Sequence, residues 1–270
     1  MGIRFTLAGL ILFGFIFFKQ GTSEFRIPLG EIGAAAILGF VTLGFGIGNV
    51  AVAEAHVPTG VVSLIIAALP LWIALFRTIS RERIATFTWV GTIVGFIGVV
   101  ILLKPGSIES VSGVDSGTLF FFMFMVLLGN IGWALGTYLS PRFPIPKNSF
   151  LFTGIEMLAG GIALTIAGFV RGESLGDFWD GSKTSWLWFW YLVLVGSIAA
   201  YSAYLWLVMN APVSLTATYA YVNPVIAILL GVVFLKEVIT MNYALGGAII
   251  ILGVLTVVSS ESKDKRQTKG

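Results

Sequence analysis

Nine apolar stretches of membrane-spanning length cover most of this 270-residue chain. They lie near 3–18, 32–53, 60–76, 84–103, 118–139, 150–170, 185–208, 213–235 and 241–259. In hydrocarbon every backbone N–H and C=O must find its partner inside the segment, so such stretches are expected to be helices. Only 11% of residues are charged and the mean hydropathy is +0.97. A soluble domain carries about 25% charge. The expected fold class is an all-α polytopic membrane protein with nine transmembrane helices. The short connections leave no room for a soluble domain.

The last two stretches echo an earlier pair. Pro58 falls on Pro212 and Pro70 on Pro224, both 154 positions apart. Past one inserted residue, Gly91 falls on Gly246, Gly98 on Gly253 and Val99 on Val254, all 155 apart. A helical unit duplicated inside a membrane protein points to a transporter built from two halves.

Charge distribution gives an orientation. With the Lys-rich C-terminus placed in the cytoplasm, the inside connections hold Lys19, Arg26, Arg77, Arg81, Arg83, Arg142, Lys147, Lys263, Lys265, Arg266 and Lys269. The outside set is only Arg4, Lys104, Arg171, Lys183 and Lys236. This bias supports a cytoplasmic C-terminus. With an odd number of spans it also places Met1 outside. A net charge of +3 is too small to suggest a nucleic-acid partner.

Chemistry that needs a thiolate is excluded, because there is no cysteine. One histidine, no Gly-x-Ser-x-Gly and no carboxylates at a metal spacing argue against a membrane enzyme. The absence of Gly-x-x-x-x-Gly-Lys-[Ser/Thr] removes P-loop ATP hydrolysis. No cofactor is expected. No selectivity filter or charged ring of a channel is evident.

Glu156 is the one acidic residue deep inside a predicted span. A carboxyl there is costly, so it should face the bundle interior and a partner. Three readings stand: a proton-coupling carboxylate, a substrate contact such as to an amine, and a structural carboxyl hydrogen-bonded to a neighbouring helix. Polar residues recur at helical spacing on other spans. Thr153, Glu156 and Gly160 share one face, as do Asn130, Trp133 and Thr137, then Ser197, Tyr201 and Tyr204, then Thr216, Tyr219 and Asn223. These stripes either line a cavity for a small amphipathic solute or make interhelical hydrogen bonds. Candidate solute contacts are Glu156, Trp133, Asn130, Tyr201, Tyr204, Tyr219 and Asn223. Pro70 and Pro224 each remove a helix donor and are candidate gating bends. Gly44 with Gly48, Gly91 with Gly95, and Gly132 with Gly136 are small-xxx-small pairs, fitted to close packing within the monomer or at a homodimer face.

Several stretches resemble the drug/metabolite transporter superfamily, specifically its ten-helix EamA-type exporters. They are Arg4-Phe5-Thr6-Leu7-Ala8-Gly9, His56-Val57-Pro58-Thr59-Gly60 leading to Leu69-Pro70, and Gly132-Trp133-Ala134-Leu135-Gly136-Thr137. Later come Glu156-Met157-Leu158-Ala159-Gly160-Gly161 and Tyr219-Ala220-Tyr221-Val222-Asn223-Pro224, followed by Leu235-Lys236-Glu237. The second half is most similar to the YedA-like branch. The resemblance implies two inverted five-helix repeats, here 1–104 and 117–260, with 261–270 a basic cytoplasmic tail. In the family the Arg-Phe-x-x-Ala-Gly stretch lies on the second helix, so this chain departs by lacking the first. A start set too late and a genuine nine-helix form are the two accounts, and N-terminal sequencing of native protein separates them. The implied function is a secondary transporter in the cell membrane, exporting small metabolites or drugs by alternating access, with proton coupling as one option. A non-transporting scaffold or complex subunit is the alternative if nine helices is the true form. The partners are then a small-molecule solute and the lipid bilayer.

Overall fold

The computed structural model describes residues 1–82, 84–103, 115–210, 219–235 and 239–267. Arg83, Lys104, Pro212, Thr216, Lys236, Glu237 and Lys269 lie outside the described residues, as do the side chains of Tyr219 and Pro224. Every long element among the described residues is a helix. Among the described residues seven helices are long and apolar enough to cross a membrane, and a shorter apolar one spans Thr86–Leu102. The stretch expected at 213–235 is a helix over its described part, Tyr219–Leu235. The protein is an all-α polytopic membrane protein.

Packing divides the chain into two compact units, Met1–Gly48 with Gly136–Pro212, and Asn49–Leu135 with Val213–Gly270. This division differs from the sequence repeat, because each unit draws on both copies.

The first unit is built on α1 (Gly2–Lys19) and α7 (Ser149–Val170). Lipid tails are as apolar as leucine, so helices in a bilayer associate by close packing rather than by hydrophobic burial. Glycines provide that closeness. A Cβ on Gly2 would lie 2.9 Å from the Gly161 carbonyl oxygen, and one on Gly9 would lie 3.0 Å from that of Gly154. Adding 152 turns one pair into the other, since 2 becomes 154 and 9 becomes 161. The same contact is therefore made twice. Asn148 starts α7 by accepting from the N–H groups of Phe150 and Leu151 at 3.0 and 3.3 Å. Its amide also donates to Gln20 and Glu24 at 2.6 and 2.7 Å, which ties the α1 exit to the α7 entry.

Two spans of this unit contain wide π-helical turns. They are α2 (Leu29–Ala53), over Phe40–Ile47, and α9 (Lys183–Asn210), over Leu192–Tyr201. Such turns bond five residues back instead of four, are rare, and cluster at functional sites. A short helix, α8 (Leu175–Trp179), was not anticipated from the sequence. Its Phe178 and Trp179 pack edge-on and tilted against Trp186 at 5.0 and 5.7 Å. With Trp188, Trp190 and Tyr191 they gather aromatic rings at the start of α9, as an interfacial belt would.

In the second unit, the third span is broken. It forms α3 (Thr59–Ala67) and α4 (Leu69–Ile79), with Ala68 between them at φ −71° and ψ −1°. Pro70 stands in the first turn of α4, where its missing N–H leaves no bond unmade. The carbonyl of Ile65 at the break accepts from Ala68 N–H at 3.1 Å and from the Asn130 amide at 2.6 Å. Asn130, on α6 (Ser116–Leu139) and 2% exposed, thereby seals a helix end inside the core. The apolar core of this unit, which includes Ile65 itself, also holds Val62, Leu64, Met123, Val126 and Ile250.

The closest helix pair here is α5 (Thr86–Leu103) with α11 (Met241–Gln267). A Cβ on Gly91 would lie 2.7 Å from the Gly253 carbonyl oxygen, and one on Gly98 would lie 2.9 Å from that of Gly246. Adding 155 turns 91 into 246 and 98 into 253, so this contact also recurs. The other side of α5 exposes Ile93, Ile97 and Val100, as lipid contact requires. Gly44 and Gly48 face Ala163 and Leu164, and Gly136 faces Thr42, both within the first unit. These small residues pack inside the chain.

Asp115 caps α6 from just outside the membrane span. Its Oδ1 accepts from Gly117 and Thr118 N–H at 2.9 and 3.1 Å, and its Oδ2 accepts from the Thr118 hydroxyl at 2.5 Å. The Thr118 hydroxyl bond, then the backbone bonds, hold its carboxyl below the usual carboxylate range. A lowered folded value contributes stability above the unfolded value, and that stability is lost as pH falls through the folded one. Asp115→Asn keeps a cap but no titration. Its thermal midpoint should therefore fall less steeply than that of wild type through the carboxylate range. Identical slopes would show that the cap does not sense pH.

Candidate functional site

Glu156 lies seven residues from the start of the 22-residue α7, away from both helix ends, and is 0% exposed. Three neighbours enclose it. Gly39 of α2 sits so close that a Cβ there would strike the Glu156 backbone oxygen and Cα. Tyr201, at the end of the π turns in α9, donates its hydroxyl hydrogen to Glu156 Oε2 at 2.5 Å. Thr42, in the π turns of α2, lies 3.4 Å from that same hydroxyl and donates to the Leu38 carbonyl at 2.8 Å. The second carboxyl oxygen, Oε1, is buried and has no hydrogen-bond partner among the described residues. An unmatched buried polar atom costs about 1–3 kcal/mol.

The polar contacts continue along α9. The Tyr204 ring stacks on Tyr201 with centroids 6.0 Å apart and planes at 26°. The Tyr204 hydroxyl is 2.6 Å from Thr137 Oγ1. About one turn earlier, buried Ser197 accepts from Arg4 Nε of α1 at 2.8 Å. Arg4 and Glu156 correspond under the offset that relates the α1 and α7 glycines, because 4 plus 152 is 156. One position thus carries a cation on α1 and a carboxyl on α7.

The stripe on α7 is buried as a whole, with Thr153 and Glu156 both 0% exposed and Gly160 also buried. The structure brings together Glu156, Tyr201 and Tyr204 of the expected set. Sequence reading missed Thr42. Its signal was a hydroxyl inside the second span, 32–53, where the one other polar side chain is that of Asn49. Asn130 and Trp133 belong to the second unit. There Asn130 holds the Ile65 carbonyl, and Trp133 packs against the cluster of Leu69, Ile73 and Ala134. Asn223 is exposed on α10 (Tyr219–Leu235), and Pro224 lies inside that helix without ending it. The two matched prolines thus differ in setting: Pro70 begins a helix and Pro224 continues one. Among the described residues no three His, Asp or Glu side chains gather as a metal ion would require.

Comparison with known proteins adds the following. The chain matches the EamA-like transporter family over residues 1–104 and 120–259. It is 34% identical over 257 residues to the "Uncharacterized inner membrane transporter YedA" of Escherichia coli K12, covering 95% of this chain and 79% of that protein. It is 25% identical over 249 residues to "Protein PecM" of Dickeya dadantii, covering 90% and 78% of the two chains. One crystal structure, 19% identical, matches it with a TM-score of 0.65 over 96% of this chain and 87% of the other. That last likeness speaks to the fold alone.

Proposed function

This chain belongs to the EamA-like transporter family and is a multi-pass membrane transporter, and from that premise we propose that it exports small metabolites or drugs by proton-coupled alternating access. The observation that carries the reading is the Glu156 carboxyl: buried mid-span, with one oxygen bound by Tyr201 and the other unmatched. An intramembrane carboxyl of this kind is by default a functional group. In this reading Glu156 takes up a proton in one state and releases it in the other. Tyr201, Tyr204, Asn130, Trp133, Tyr219 and Asn223 contact the solute in turn. The two repeats, 1–104, which lacks its first helix, and 117–260, rock around a midplane cavity. Pro70 and Pro224 let helix halves move, a role that suits the break at Ala68. The basic tail 261–270 stays in the cytoplasm, on the side favoured by the Lys and Arg bias.

The test uses purified protein in liposomes with an imposed pH gradient. The panel spans amino acids, nucleosides, polyamines and cationic drugs. One chemical class should accumulate against its own gradient and stop doing so when a protonophore is added. A bound solute of that class at about 100 times its Kd should stabilise the protein by roughly 2.7 kcal/mol. No flux and no stabilisation by any class would overturn the reading in favour of a scaffold.

A further inference from the structure

We propose that Glu156, Tyr201 and Thr42 form a hydrogen-bond relay whose direction is set by the proton on Glu156, and that the protonated relay locks the two π-turn segments together. This rests on the reading of Glu156 as the proton site. The argument is a count of hydrogens. Thr42 has one hydroxyl hydrogen, and it goes to the Leu38 carbonyl at 2.8 Å. Thr42 can then only accept from Tyr201. Tyr201 also has one hydrogen. While Glu156 is ionised, the carboxylate 2.5 Å away takes that hydrogen, and Thr42 at 3.4 Å goes without. When a proton arrives, Oε1 is the poor place for it, because an O–H there would have no acceptor among the described residues. On Oε2 the new O–H donates to the Tyr201 oxygen. The Tyr201 hydrogen is thereby released toward Thr42. The chain then runs unbroken from Glu156 through Tyr201 and Thr42 to the Leu38 carbonyl.

The ends of this chain lie on different elements. Thr42 sits in the Phe40–Ile47 turns of α2, and Tyr201 closes the Leu192–Tyr201 turns of α9. The proton therefore adds one link between these segments and its departure removes it. Few other charges intrude. Around Glu156, α9 contributes Tyr201 and Tyr204, and α1 contributes Arg4, which is held on Ser197. The facing stretch of α2, 38–42, and the neighbouring turns of α7, 152–160, carry no further ionisable side chain.

Infrared difference spectra across a pH titration test this in full-length protein in lipid, with no solute needed. A protonated-carboxyl band absent from Glu156→Gln belongs to Glu156. In Tyr201→Phe that band should move toward the frequency of a less hydrogen-bonded acid. In Thr42→Val it should move the same way by a smaller amount, and Thr42→Ser should restore it. The midpoint of the titration should shift in Thr42→Val by a factor of about three to ten in proton concentration, the scale of one hydrogen bond. A band and midpoint unchanged in Thr42→Val, with the thermal midpoint retained, would overturn the relay. So would the absence of any titrating Glu156 band. A relay that behaves as described in a protein that moves no solute would leave this inference standing and sink the transport reading.

Discussion

Glu156→Gln should abolish solute accumulation driven by a pH gradient while leaving downhill exchange of the same solute measurable. Glutamine has the shape of glutamic acid, and its amide oxygen can still accept from Tyr201, so the enclosure around Gly39, Thr42 and Tyr201 keeps a plausible filling. What it lacks is a proton to bind and release. The gradient-driven rate should fall by roughly two orders of magnitude, the scale of losing an interaction of about 3 kcal/mol with an ionised group. The comparison is made on initial rates in liposomes, with and without the gradient, normalised to the amount of folded protein. Equal gradient dependence in mutant and wild type would remove Glu156 from the coupling step. The carboxyl would then be a structural bond between α7 and α9.

The second large effect concerns packing. Gly253→Leu should destabilise the protein by about 3 kcal/mol or more, at or above the upper end for overpacking. The obstacle is backbone: a Cβ at Gly253 would lie 2.5 Å from Gly95 Cα and 2.6 Å from the Gly91 carbonyl oxygen. Backbone cannot swing aside as a side chain can, so α11 would have to part from α5 along several turns. Gly14→Leu is the control, because nothing lies within 4 Å of a Cβ there. It should leave the thermal midpoint close to wild type. A Gly253→Leu protein as stable as wild type would mean that α5 and α11 do not cross so closely.

Much of this was legible in the chain itself. Long apolar runs in a bilayer admit one backbone solution, so the helical spans followed from composition and length. The polar stripe through Thr153, Glu156 and Gly160 was legible because α7 is a regular helix, where residues three and four apart share a face. The glycine pairs announced close packing, but not their partners. Gly91 could have met another copy of the chain as easily as Gly253, and only three-dimensional placement decides. The break at Ala68 was hidden because Pro70 reads the same whether it bends a helix or begins one. Thr42 was missed for a related reason. It sits where the helix widens, so a count at 3.6 residues per turn misplaces it relative to the residues that follow.

That widening has a consequence for how the sequence tolerates length changes. Each π stretch holds more residues per turn than a regular helix would need. Removing one residue from Leu192–Tyr201 could let the segment relax into ordinary helix without breaking the span. A uniform helix that loses one residue turns everything beyond it by about 100°, whereas here the lost residue and the tightening of the turns act in opposite senses and largely offset. Tyr201 would keep its side of the helix, and what the deletion removes is the wide turn itself. Among related chains, a one-residue gap in this stretch would therefore mark a span that has given up its widened turns rather than one that has changed its working face.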